Sequence, residues 1–127
     1  MRRYKRADRV RDLLHQEVSL ILQREIKDPR VKLVIITRVD LTEDLRYAKF
    51  YVTIPSITQI QGVTIAEEKK REILGGLERA SGYIRGELGK RLDLKYIPDI
   101  KFVFDEALEE THRVLQLLDK ISSESKG

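Results

Sequence analysis

The chain contains no cysteine, which excludes disulfides, thiolate metal sites and cysteine nucleophiles. It has no apolar run approaching the roughly 20 residues of a membrane span. Nor does it open with the uninterrupted apolar stretch of a secretory signal, because charges recur through Glu17. Its two histidines, His15 and His112, fall on separate segments without a matching carboxylate motif. Ser81 has no Gly-x-Ser-x-Gly context. Gly89-Lys90 is not a phosphate loop, since Ile84 stands where the first glycine belongs and Arg91 replaces the Ser/Thr. No nucleophile–base–orienter set emerges, so no catalytic residue, metal or cofactor is expected. These absences describe a non-enzymatic, cytoplasmic protein.

What is abundant is charge. Charged residues make up 36% of 127 residues, with a formal net charge of +4. The sign is unevenly spread. Residues 1–11 carry six cations against Asp8, a net of +5, whereas residues 105–127 carry three cations against six anions, a net of −3. A basic front end suits a polyanionic partner, and it equally suits the solvated surface of a heat-adapted protein. A chain of 14.9 kDa reads as one domain that buries roughly two-thirds of its unfolded surface.

Periodicity gives the elements. Val10, Leu14, Val18, Ile21 and Leu22 recur at helical spacing, with the helix starting between residues 4 and 8 and stopping at Asp28-Pro29. Residues 33–41 then alternate with period two, and Ala48, Phe50, Val52 and Ile54 form the inward face of a second strand. The short turn Thr42-Glu43-Asp44 makes the pair an antiparallel hairpin. Its outer face, with Arg38, Tyr47, Lys49 and Tyr51, is left for water or a partner. Pro55 to Thr64 is an irregular connection. Thr64-Ile65-Ala66-Glu67 has the spacing of a capping box. Ile73, Leu77, Ala80, Ile84, Leu88 and Leu92 continue the helical stripe, and Ile100, Phe102 and Phe104 mark a third strand. Asp105 is the expected N-cap of a last helix, with Leu108, Leu115 and Leu118 facing inward. The domain should span residues 1–121, with 122–127 frayed. The order is α-β-β-α-α-β plus a C-terminal helix. It is an α+β fold with a three-stranded sheet covered on one face.

Five of the seven glycines crowd one stretch: Gly75, Gly76, Gly82, Gly86 and Gly89. Each interior helical glycine costs about 1 kcal/mol against alanine. Residues 65–91 would also be long for one globular helix. Both facts predict two helices joined by a bend at Ala80-Ser81-Gly82, with Gly82 as pivot. A phosphate backbone could approach such a bend, flanked by Arg79 and Arg85. Tight packing on the sheet explains the glycines as well, and on glycines alone it is the better account. Gly86-Glu87-Leu88-Gly89 matches Gly-x-x-Gly, but its glutamate repels phosphate. The basic residues Arg2, Arg3, Lys5, Arg6 and Arg9 make a stronger case for phosphate contact, with Lys90 and Arg91 adding charge.

Four stretches together resemble the ribosome-binding factor A family: residues 19–31 (SLILQREIKDPRV), 39–52 (VDLTEDLRYAKFYV), 77–92 (LERASGYIRGELGKRL) and 97–105 (IPDIKFVFD). The combination of Asp28-Pro29-Arg30, Asp44-Leu45 with Tyr47-Ala48, and Ala-Ser-Gly before Ile-Arg carries the resemblance. Lys32 stands where many relatives carry glycine. The resemblance implies a type II K-homology fold in which an Ala-x-Gly bend, here Ala80-Ser81-Gly82, replaces the Gly-x-x-Gly loop. It implies binding to 16S ribosomal RNA in the immature 30S subunit, late maturation including the 5′ end, growth at low temperature, an assembly GTPase as release partner and no enzymatic activity. A monomer away from membranes is expected. The RNA-binding set is then Arg2, Arg3, Lys5, Arg6, Arg9, Arg79, Ser81, Gly82, Arg85, Lys90 and Arg91. The competing reading is an α/β interaction or ligand-binding module that self-associates through the hairpin face.

Overall fold

The structure, a computed structural model, describes residues 6–54 and 67–125. The connection over 55–64 and the first three residues of the capping box lie outside them.

Val10, Leu14, Val18, Ile21 and Leu22 form the buried stripe of helix α1, Arg6–Arg24. The helix ends before the expected stop. The amides of Glu25 and Ile26 both donate to the Ile21 carbonyl, at 2.9 and 3.3 Å, and close the last turn. Asp28-Pro29 instead opens a new short helix, α2, Pro29–Lys32. Pro29 lacks an N–H that the first helical turn does not need, and Asp28 Oδ1 accepts the Arg30 amide at 3.0 Å. An Asp-Pro pair therefore reads as a stop or a start, and here it is a start.

Strands β1 (Ile35–Leu41), β2 (Tyr47–Thr53) and β3 (Asp99–Phe104) form one sheet in the order β1-β2-β3. The hairpin pair is antiparallel, as expected, and β3 joins β2 in parallel. That parallel pairing requires a long crossover, which runs through helix α3, Glu67–Arg91. Register passes from Ile36↔Val52 to Arg38↔Tyr51, so Thr37 is an extra, bulged residue. The bulge breaks the simple alternation over 33–41. Val34 and Ile36 are buried before it and Val39 after it, while Leu33 and Ile35 are about half exposed. Helix α1 packs on β1, α3 on β3, and the two helices on each other. Phe50 is fully buried at the centre, 5.4 Å ring to ring from Phe102.

Helix α3 corrects the expectation of two helices. It runs unbroken for 25 residues through Ala80-Ser81-Gly82. Ile73, Leu77, Ile84 and Leu88 are all fully buried on its sheet side. Burying each is worth about 1.5–3 kcal/mol, against about 1 kcal/mol for a glycine in the helix interior. The stripe outweighs the glycine and the helix continues. The Ser81 hydroxyl donates to the Leu77 carbonyl four residues back, at 3.2 Å.

The last helix, α4, spans Glu106–Ser125 and so passes the boundary expected at residue 122. Asp105 caps it as predicted, accepting the Leu108 amide at 2.9 Å. Leu115 and Leu118 do not face inward. They are 57% and 56% exposed, because no described element packs against that stripe. Leu108 is partly buried.

Candidate nucleic-acid interface

The middle of α3 passes close to the α1–α2 junction. A Cβ on Gly76 would stand 3.0 Å from Asp28 Oδ2 and 3.2 Å from Val31 Cγ2, so this glycine permits a close approach. A Cβ on Gly82 would meet nothing within 4 Å. The close-packing glycine is therefore Gly76, and Gly82 faces open space. Beside Gly76, a shallow cavity of about 270 Å³ is lined by residues including Ile26, Lys27, Arg79, Ala80 and Tyr83.

Arg30 donates from Nε and Nη2 to the two Asp28 oxygens, each at 3.2 Å. These hydrogen bonds and the Arg30 amide, helped by the nearby Arg79 charge, hold the Asp28 carboxyl below its usual value of 3.8. A carboxyl depressed in the folded state stabilises fully above its unfolded value and loses that contribution as pH falls through the folded one. Asp28→Asn retains a capping oxygen but cannot titrate. Its melting temperature should therefore fall less than that of the parent protein when the pH is lowered below about 4. Parallel acid melts check this, and identical pH profiles would show that Asp28 contributes nothing.

The cations expected at the interface divide into two groups. Arg6, Arg9 and Arg79 are exposed, and Ser81 and Gly82 lie beyond Arg79 on the same helix. Arg85 is exposed too, but its side chain is engaged along the fold. Its Nε and Nη2 donate to the Pro98 and Ile97 carbonyls, both at 3.2 Å, and it pairs with Asp99 at 3.5 Å. It braces the segment that leads into β3. Arg91 is also engaged, pairing with Glu25, with Glu87 at 3.3 Å and with Glu17 at 3.6 Å. Tyr83 donates to the same Glu25 at 2.7 Å. The Tyr83 hydrogen bond first, and Arg91 second, hold the Glu25 carboxyl low, while the Tyr83 phenol is pushed up. Lys90 is mostly exposed and lies 3.5 Å from Glu87. Arg2, Arg3 and Lys5 lie outside the described residues.

Other polar residues are structural. His15 Nε2 donates to the Ile36 carbonyl at 3.1 Å, the role of a core-edge histidine. Lys70 is buried, with Nζ 3.1 Å from Glu106 Oε1 and 5.6 Å from the Phe104 ring centre. It ties the start of α3 to the start of α4. Among the described residues no cluster of His, Cys, Asp or Glu is placed to hold a metal ion, and no helix is long and apolar enough to cross a membrane.

The family model of ribosome-binding factor A matches residues 6–118. The chain belongs to that family. Ribosome-binding factor A of Acetivibrio thermocellus is 40% identical over 123 residues, covering 96% of this chain and 93% of its own. That of Syntrophobacter fumaroxidans is 43% identical over 118 residues, covering 93% and 95%. The crystal structure of ribosome-binding factor A from Thermus thermophilus has a similar fold, with a TM-score of 0.60 at 22% identity, covering 76% of this chain and 93% of that one. A Thermus thermophilus homology model, fitted into the cryo-EM map of a 30S complex with ribosome binding factor A, aligns with a TM-score of 0.56 at 21% identity. It covers 77% of this chain and 93% of that one. The fold is thus of the expected α+β, K-homology-like class, with the two central helices merged into one.

The feature that the sequence did not assign to RNA is the face of the sheet that no described helix packs on. There the Arg38 guanidinium lies over Tyr51, its carbon 3.8 Å from the ring centre, and Lys49 Nζ is 5.9 Å from the same ring centre. The signal for it was the basic–aromatic alternation Tyr47, Lys49, Tyr51 on one strand face.

Proposed function

We propose that this protein is a non-catalytic assembly factor that binds 16S ribosomal RNA in the immature 30S subunit and assists late maturation, including 5′-end processing. The observation that carries the reading is the family match over nearly the whole chain. The Thermus thermophilus relative fitted into the map of a 30S complex supports the partner. The exposed cations Arg6, Arg9, Arg79 and Lys90, with Ser81 and Gly82, are the proposed RNA-facing residues, together with Arg2, Arg3 and Lys5 from the sequence. Arg85 and Arg91 belong to the same proposed set, and these exposed residues also hold α3 to its neighbours. The protein works in the cytoplasm as a monomer, supports growth at low temperature, and leaves the particle with the help of an assembly GTPase.

Co-sedimentation with immature and mature small subunits across a salt series tests this. Preference for one particle over unrelated RNA is expected. Arg6→Glu combined with Arg9→Glu should lower the salt slope of binding by about 1.5, since each lost phosphate contact removes about 0.7–0.9. An unchanged slope would take both residues out of the interface. Equal binding to unrelated RNA would defeat the proposed function.

A further inference from the structure

We infer that the face of the sheet left open by the described helices is a second RNA-contact surface, one that takes a single-stranded segment. This rests on the RNA-binding reading above but concerns the side of the molecule opposite α1 and α3. Those helices pack on the other face of the sheet. On the open face β2 presents Tyr47, Lys49 and Tyr51, β3 presents Asp99, Lys101 and Val103, and β1 presents Arg38 and Asp40.

Three features specify the ligand. First, Lys49 and Lys101 are direct partners across the β2–β3 pairing. Like charges placed opposite each other weaken a sheet, so an anion between them relieves a repulsion. Second, the face carries Arg38, Lys49 and Lys101 against Asp40 and Asp99, and Asp99 is already paired with Arg85. Asp40 stands opposite Lys49 across the β1–β2 pairing, and the face keeps an excess of cations. Third, the Arg38–Tyr51 stack offers a flat guanidinium on an aromatic ring, and Tyr47 is 58% exposed along the same strand. Planar cationic and aromatic surfaces stack unpaired bases, while lysines beside them hold the phosphates. Duplex RNA offers no free base faces, so the arrangement favours a single strand.

The test uses the full chain and a single-stranded RNA of about 12 nucleotides, within the usual range of site sizes, with a duplex of equal length as comparison. Lys49→Glu with Lys101→Glu should weaken single-strand binding about tenfold and lower the salt slope by about 1.4, at about 0.7 per lost contact. Both substitutions are exposed, and a far-UV spectrum and melt confirm the fold. Ultraviolet crosslinking of the wild-type complex should mark Tyr47 or Tyr51. Wild-type affinity and slope in the double variant would overturn the inference. So would dimerisation of the pure protein that the double variant abolishes while RNA affinity stays unchanged, since the face would then be a self-association surface. If the protein binds immature 30S particles but not the oligonucleotide, this inference falls and the proposed function stands. If it binds neither, both fall.

Discussion

Gly76→Val should lower stability by about 2 kcal/mol, whereas Gly82→Ala should raise it by about 1 kcal/mol. The two glycines are six residues apart on one helix, and their surroundings set the opposite signs. Any Cβ at position 76 collides with Asp28 and with the fully buried Val31, and valine adds two further methyl groups to that contact. Overpacking of this kind costs about 1–3 kcal/mol, only partly offset by the better helix propensity of valine. At position 82 a methyl group enters open space and the helix simply gains a better helix former. In a chain of this size the two variants should melt roughly 8 °C below and 4 °C above the parent. Thermal unfolding followed by circular dichroism decides. A stable Gly76→Val would mean that α2 moves aside at little cost. A destabilised Gly82→Ala would restore the pivot at Ala80-Ser81-Gly82 that the unbroken helix argues against.

Asp105→Ala should cost about 2 kcal/mol, because one buried carboxylate ties α4 to the bulge of β1. Oδ1 caps α4 through the Leu108 amide, and Oδ2 accepts the hydroxyl of the bulged Thr37 at 2.7 Å. The Asp105 amide, which alanine keeps, donates to the Val52 carbonyl at 2.9 Å and extends the β2–β3 pairing. Losing the cap costs about 1 kcal/mol. Leaving the Thr37 hydroxyl with only the Tyr51 carbonyl, at 3.2 Å, adds a similar amount. Thr37→Val with Asp105→Ala should therefore be less destabilising than the sum of the single changes. Chemical denaturation of the four proteins measures this. A single Asp105→Ala variant within about 0.5 kcal/mol of the parent would show that the contacts are dispensable.

Elements with strong periodicity were legible in the sequence. The α1 stripe, the inward face of β2 and the Asp105 cap were all readable, since each depends on residues near in sequence. The misreadings share a physical cause. The glycines of α3 weaken a helix locally, but burial of Ile73, Leu77, Ile84 and Leu88 on the sheet decides its continuity, and that is a tertiary term. Leu115 and Leu118 made an inward face for α4 on the assumption that something covers them. The bulge at Thr37 was invisible because its partner, Asp105, lies 68 residues away. Among the exposed cations, sequence position could not show that Arg85 and Arg91 would be held by carbonyls and carboxylates. The matching stretches carried the family, and the family match over residues 6–118 establishes it.

A helix of 25 residues is a rod about 37 Å long. Its first turns are fastened to α4 through Lys70 and Glu106, and its last turn to the end of α1 through Arg91 and Glu25. One unbroken helix thus links the start of the acidic last helix to the end of α1, with Arg79 midway between the two fastenings.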